Sequence, residues 1–361
     1  MPSDQGTFAY NKLIEILCRS VLDPDKYFVL GGSYRIPLMC GLTSRQQIED
    51  VINSPTFSKS SFEREYESRW SDAPVGAAFK TSLITSLRQV KKTELKYSLT
   101  AKQEDEDDQF YVICADMAKD GSAETAVVIA KVIPKEHFFT YKVINLLTIP
   151  STDYMVVANA FKKLIMTYQA KLLIYDANGV GASIRDWLNK PTTDEAGVLL
   201  DGYGIINPPT DTERDLISYP KSRTICYEIK SGGTIGEQIH FFFFSRMSTG
   251  AITYPIKLTE AISLFSRNES FVRLSRRKQN EILLPYQTMD KMEAELKNLD
   301  IVNTSDNMTN RLKIVRRNAA IQKDFFSAME YLVWGTNKYF EFDYYKRRRK
   351  KGSKRIIAIF E

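Results

Sequence analysis

Histidine and cysteine are scarce in this sequence, with 2 and 4 in 361 residues. Cys18, Cys40, Cys114 and Cys226 are scattered, without the paired spacing of a zinc site or the density of a disulfide scaffold, and suit a reducing compartment. His137 and His240 stand apart from every other candidate ligand, and neither is given a role. Long apolar runs are missing too: the densest aromatic stretch, Phe241 to Phe244, is far too short to cross a bilayer, and the N-terminus carries no apolar export segment. Neither export nor membrane insertion is therefore expected. No glycine-rich loop ends in Lys-Ser or Lys-Thr, so nothing here can hold ATP in the usual P-loop manner. What is present is enough chain for two domains and a full hydrophobic core, with a net charge of +6.

The chain is organised around Phe110 to Val132, FYVICADMAKDGSAETAVVIAKV. Apolar and aromatic residues run into Ala115-Asp116, small and charged residues turn the chain, and Thr125 to Val132 is β-branched and apolar again. The pattern predicts two adjacent buried strands with Asp116 at the tip of the first. Aspartate is common where strands end, so Asp116 taken alone reads as a turn former or cap. Phe138 to Leu147 predicts a third strand, Thr152-Asp153 opens an amphipathic helix, Lys171 to Tyr175 a fourth strand, and Ser183 to Leu188 another helix. Three strands, a helix, a strand and a helix is the order of a ribonuclease-H-like α/β fold, a mixed sheet flanked by helices. A fourth strand beside the first brings Asp176, in DANGVG, next to Asp116 at the sheet edge where ligands bind in open α/β sheets.

A third acid, Asp324, precedes two phenylalanines at the start of a helix predicted over Ile321 to Trp334. The helix dipole alone can explain an acid there. A helix covering the sheet can also deliver it beside the first two, and three clustered carboxylates repel unless a divalent cation is present, which predicts oxygen ligation of Mg²⁺ or Mn²⁺. Two such ions about 4 Å apart can activate water and stabilise the leaving oxygen of a phosphodiester. Glu124, just before the second strand, is a supporting candidate; Asp120 reads as a turn residue beside Gly121.

The first hundred residues predict a small, mostly helical unit. Helices are expected over Tyr10 to Leu22, from a Thr43 cap to Pro55, over Ser61 to Trp70 and over Pro74 to Val90, with a strand-like piece at Tyr27 to Leu30. Five consecutive acids, Glu104 to Asp108, read as a solvated linker. The expected division is residues 1–103 as a helical segment, 109–345 as an α/β domain and 346–361 as a basic tail. Basic residues cluster at Phe265 to Lys278, at Arg311 to Arg317 and in the tail, where Tyr344-Tyr345 adjoin KRRRKK. Such segments neutralise phosphates and stack on bases without reading sequence; a solvated charged surface is the plain alternative.

Together these residues resemble a family. ICADMAKDGSAETAVVIAKV is similar to the first metal-binding strand and turn of tailed-phage terminase large subunits, IYDANGVGASIRDWL to their second acidic motif, and IQKDFFSAMEYLVWG to the helix bearing their last acid. PTFSKSSFEREYESRW resembles the segment joining that family's ATPase core to its nuclease. The resemblance implies a metal-binding triad of Asp116, Asp176 and Asp324 and a Mg²⁺- or Mn²⁺-dependent endonuclease cutting double-stranded DNA during packaging, with Glu124 kept as the assisting candidate that its position suggests. It implies as partners the terminase ATPase half, the small terminase subunit and the portal protein, and as location the host cytoplasm and, transiently, the procapsid portal. Two other readings stay open: a ribonuclease-H-like enzyme for another nucleic acid, and a nonenzymatic DNA-binding or motor-docking module with structural acids.

Overall fold

The computed structural model describes residues 8–29, 31–52, 62, 66–69, 76–95, 109–117, 124–135, 138–177, 181–207, 223–306 and 309–351. The helices α1 (Phe8–Leu22), α2 (Arg35–Met39), α3 (Arg45–Ile52) and α4 (Thr81–Ser86) lead into strand β1 (Arg88–Val90). Then follow β2 (Phe110–Asp116), β3 (Thr125–Pro134), β4 (Phe139–Ile149), α5 (Tyr154–Tyr168), β5 (Leu172–Asp176) and α6 (Gly181–Asn189). The short β6 (Thr192–Thr193), β7 (Leu199–Leu200) and β8 (Tyr203–Ile205) precede β9 (Arg223–Ile229), α7 (Gly233–Ser248) and β10 (Ile252–Pro255). Last come α8 (Leu258–Phe265), α9 (Glu269–Val272), α10 (Arg276–Lys297), the hairpin β11 (Leu299–Asp306) and β12 (Thr309–Arg316), and α11 (Asp324–Lys351).

Eight strands form one sheet in the order β1-β10-β4-β3-β2-β5-β9-β8. β2, β3 and β4 are antiparallel neighbours, while β5 and β9 run parallel to β2. The inner order β4-β3-β2-β5-β9 is that of a ribonuclease-H-like mixed sheet, as the element order predicts. Helices cover both faces, which is why β2 and β3 read as nearly continuous apolar runs. Alternation sorts the side chains. Phe110, Val112, Cys114, Leu172 and Ile174 pack with α7, α10 and α11 on one face; Tyr111, Ile113, Ala115, Leu173 and Tyr175 pack with α5 and α6 on the other. The start of α5 is fixed by Asp153, whose carboxylate accepts from the amides of Met155 at 2.8 Å and Val156 at 3.2 Å.

Several elements differ from the sequence expectation. Part of the expected first unit belongs to the sheet: β1 pairs with β10, and Phe79, Ile84 and Leu87 sit in the core beside β2. Residues 91–95 continue as a strap across the sheet. Tyr286 Oη donates to the Lys91 carbonyl at 2.8 Å, Tyr168 Oη to the Glu94 carbonyl at 2.7 Å, and the Glu94 carboxylate takes Tyr111 Oη and Lys131 Nζ, both at 2.7 Å. Residues 27–29 are not a strand, and α3 is capped by Ser44 rather than Thr43, because Ser44 and Gln47 form a reciprocal capping box. α10 runs through Pro285 in its interior, and Tyr286, Met289, Met292 and Leu296 beyond it are all buried. The hairpin β11–β12 occupies the second basic stretch. α11 continues to Lys351, across the expected boundary at 345/346, and Glu104 to Asp108 lie outside the described residues.

Candidate functional site

β2 and β5 are parallel and in register, with Ala115 opposite Tyr175, so the next pair is Asp116 opposite Asp176. Parallel neighbours stand about 4.8 Å apart, and residues in register point to the same face. That face is the one carrying Cys114 and Ile174, beneath α11. Asp116 is half-buried and Asp176 only 4 % exposed. Their charges register on Cys114, whose thiol is held well above its ordinary pKa by burial, with Asp116 and Asp176 adding to it. Glu124 lies just before β3 at the same sheet end and is exposed; Ala126, two residues on, pairs with Asp116.

α11 crosses this face antiparallel to β5. Gly335 is seated so closely on Ile174 that a Cβ there would stand 2.9 Å from Ile174 Cδ1. One helical turn earlier is Tyr331, and two residues further along β5 is Asp176; the two steps match at about 6 Å. Tyr331 is 8 % exposed and its hydroxyl lies 2.8 Å from Ser231 Oγ, just beyond β9, whose Ile229 pairs with Asp176. Burial, then the charge of Asp176, raises the tyrosine pKa; the Ser231 hydrogen bond opposes and Asp116 adds to the rise. The preceding residue, Glu330, is buried and bonded to His240 Nδ1. Burial raises the Glu330 pKa against the opposing effect of His240.

Asp324 opens α11 seven residues before Tyr331, on the same side of the helix but about 10 Å farther along the axis. It is half-buried; burial raises its pKa, while Lys291, Arg316 and Lys323 oppose the rise. Its acidic neighbour is Glu295 of α10, which accepts from the Phe326 amide at 3.0 Å and whose pKa burial pushes up to about 8. The structure thus brings the strand ends that carry Asp116 and Asp176 side by side and places Asp324 at the first residue of α11. Among the described residues no group of three or more His, Cys, Asp or Glu side chains is gathered as a metal cage. The in-register pair offers hard oxygen donors of the kind Mg²⁺ and Mn²⁺ prefer, so the donor chemistry fits even though the pair alone is not a full ligand set.

On the opposite face Arg185 of α6 grips Glu228 of β9 through two bonds, at 2.8 and 2.6 Å, and Tyr175 Oη donates to the same carboxylate at 2.7 Å. This cluster ties α6 to β9 and to β5, the strand that ends in Asp176. Asn178, Gly179, Val180, Asp120 and His137 lie outside the described residues. Arg267, Arg273, Arg276, Arg277 and Lys278 are exposed around α9 and the start of α10, and Lys313, Arg316 and Arg317 are exposed on and after β12.

Sequence reasoning missed Tyr331, Ser231 and the His240–Glu330 pair. The seven-residue spacing from Asp324 to Tyr331 is a helical one and was the available signal; the two partners on the 231–240 segment depend on how α7 docks, which no local pattern reveals.

No protein-family model matches the chain, and no curated protein matches it. Among solved structures it is similar to the large terminase nuclease of thermophilic phage G20c with bound magnesium, at 13 % identity over 72 % of this chain and 97 % of that one, with a TM-score of 0.41. It is also similar to the nuclease domain of the large terminase subunit of bacterial virus Sf6, at 11 % identity over 70 % and 96 % of the two chains, TM-score 0.38. A third likeness, to the HK97 bacteriophage large terminase, has 11 % identity over 82 % of this chain and 52 % of that one, with a TM-score of 0.38. Likenesses this distant transfer no residue roles, and the fold assignment rests on the strand order.

Proposed function

We propose that this chain is a metal-dependent endonuclease that cuts double-stranded DNA during the packaging of a tailed-phage genome. The observation that supports it most is the in-register pair Asp116 and Asp176 at the ends of adjacent parallel strands, on the face closed by α11. Two acids so placed are costly to a fold that has no use for them. In this reading they hold Mg²⁺ or Mn²⁺, with Asp324 and Glu124 contributing from the rim. One or two such ions, when bound, supply charge stabilisation at a backbone phosphate and lower the pKa of water. The chain's own residues do the rest: the carboxylates set where the ions sit, the covering helix limits solvent on the inner side, and the exposed arginines and lysines of α9, α10 and β12 attract the phosphate backbone without reading bases. The ATPase half of the terminase, the small terminase subunit and the portal protein are the corresponding partners, and the host cytoplasm and the procapsid portal the place of action.

The test is conversion of supercoiled plasmid to nicked and linear forms with Mn²⁺, Mg²⁺ or EDTA, for the wild type and Asp176→Asn. Cutting that needs the metal and disappears in a folded Asp176→Asn protein is the expected result. A folded wild type that binds DNA and never cuts it would instead indicate a DNA-binding or docking module. Preference for RNA, hybrid or branched substrates over duplex DNA would indicate another ribonuclease-H-like enzyme.

A further inference from the structure

The nuclease reading gives Tyr331 no task, yet α11 carries its side chain to the end of β5. Three observations locate it. Gly335 rests on Ile174, which fixes the helix one turn away from Tyr331. The hydroxyl meets Ser231 Oγ at 2.8 Å where the chain leaves β9. The charges of both Asp176 and Asp116 are felt at the phenol. A phenylalanine would fill the same apolar space, and burying a hydroxyl costs free energy unless it is hydrogen-bonded. The next residue back, Glu330, is joined to His240, so two successive residues of α11 are fastened to the 231–240 segment.

We propose that Tyr331 is a positioning residue of the site: its hydroxyl, paired with that of Ser231, fixes α11 against the ends of β5 and β9 and so sets the geometry in which Asp116 and Asp176 meet a divalent ion. The inference rests on the nuclease reading and adds to it a neutral group. The hydroxyl pair is uncharged, so the clasp holds α11 against the sheet without adding charge beside the carboxylates. Because α11 also carries Asp324, the same clasp sets the distance of that acid from the pair.

The test uses the full chain and Mn²⁺ itself as probe. Mn²⁺ affinity is measured by calorimetric titration, and kcat and KM for plasmid cleavage are measured separately, for the wild type, Tyr331→Phe, Ser231→Ala and Tyr286→Phe. Tyr286 also bears a buried, hydrogen-bonded hydroxyl, against Lys91 and Thr93, and controls for general loss of stability. We expect Tyr331→Phe and Ser231→Ala each to weaken Mn²⁺ binding and lower kcat by about 10-fold, the scale of groups that support metal ligands, with KM for DNA nearly unchanged. The double variant should be no worse than either single one, and Tyr286→Phe should lower Tm but not affinity. If Tyr331→Phe binds Mn²⁺ and turns over within about twofold of wild type, the positioning role is overturned while the nuclease reading stands; should Tyr331→Phe fail to fold, Ser231→Ala decides by the same criterion. A wild type that neither binds Mn²⁺ nor cuts overturns both.

Discussion

Glu295 is a side chain whose proton should affect folding within an accessible pH range. Its Oε2 accepts from Phe326, its Oε1 meets no hydrogen-bond partner among the described residues, and burial holds its pKa up to about 8 against an ordinary 4.5. Between those values the folded chain binds a proton that the unfolded chain does not, so this residue makes stability fall as pH rises through the window. Glu295→Gln, uncharged and of the same shape, should flatten that slope and raise stability at pH 8 by on the order of a few kcal/mol, read from urea unfolding between pH 5 and 9; an unchanged slope would mean that Glu295 is already ionised in the folded protein. Lys131 is the opposite case, a charge kept buried by a partner. Its side chain is 1 % exposed on a central strand and lies 2.7 Å from Glu94. Glu94→Ala takes the carboxylate away from that buried ammonium and should cost about 3–5 kcal/mol, whereas Glu94→Leu with Lys131→Met should recover most of the loss. Denaturant midpoints of the single and double variants separate the two.

At the scale of elements, α11 is the part that joins sheet, site and rim, and its fit depends on Gly335. Gly335→Ala gains up to about 1 kcal/mol of helix propensity and presses on the far end of a flexible Ile174, so it should be close to neutral. Gly335→Val should cost about 1–3 kcal/mol by overpacking and, by lifting the helix from β5, should weaken Mn²⁺ binding as well; Ile174→Ala in the same chain should restore part of both. If Gly335→Val leaves Tm and affinity unchanged, α11 does not seat on β5 as described. β2 to β5 and α5 were legible because runs such as Val127-Val128-Ile129 and the Asp153 cap act locally. Asp116 and Asp176 were legible as a pair because the element order places β5 beside β2. The strand β1 was not, since Arg88-Gln-Val is three residues long and becomes a strand only through its pairing with β10. The hairpin β11–β12 was hidden by its own composition, in which charged and polar residues outnumber the apolar ones that mark a strand. How far Asp324 stands from the pair depends on the seating of a whole helix, a tertiary quantity with no sequence signature.

For the whole molecule, residues 76–95 belong to the sheet's own core although an acidic stretch separates them from it in sequence. Arg88 is buried among the carbonyls of Pro255 and Ile256 and the carboxylates of Asp290 and Glu293. A chain begun at residue 76 should therefore keep the thermal transition of the α/β domain, while one begun at residue 96 should lose β1, uncover the edge of β10 and strand Lys131, giving a lower Tm and aggregation in calorimetry. Equal transitions for the two truncations would show that the strap contributes nothing. The strap also has a mechanical meaning. It meets the sheet near Tyr111, at the start of the strand whose other end carries Asp116. A pull arriving through the chain before Lys91 is met first by β1 and the buried Arg88, and then shared among Tyr286, Tyr168, Tyr111, Lys131 and the Ile144 carbonyl that takes the Glu94 amide. Bonds loaded side by side share a force, so tension on this stretch should be taken up by the anchorage rather than passed along β2 to Asp116.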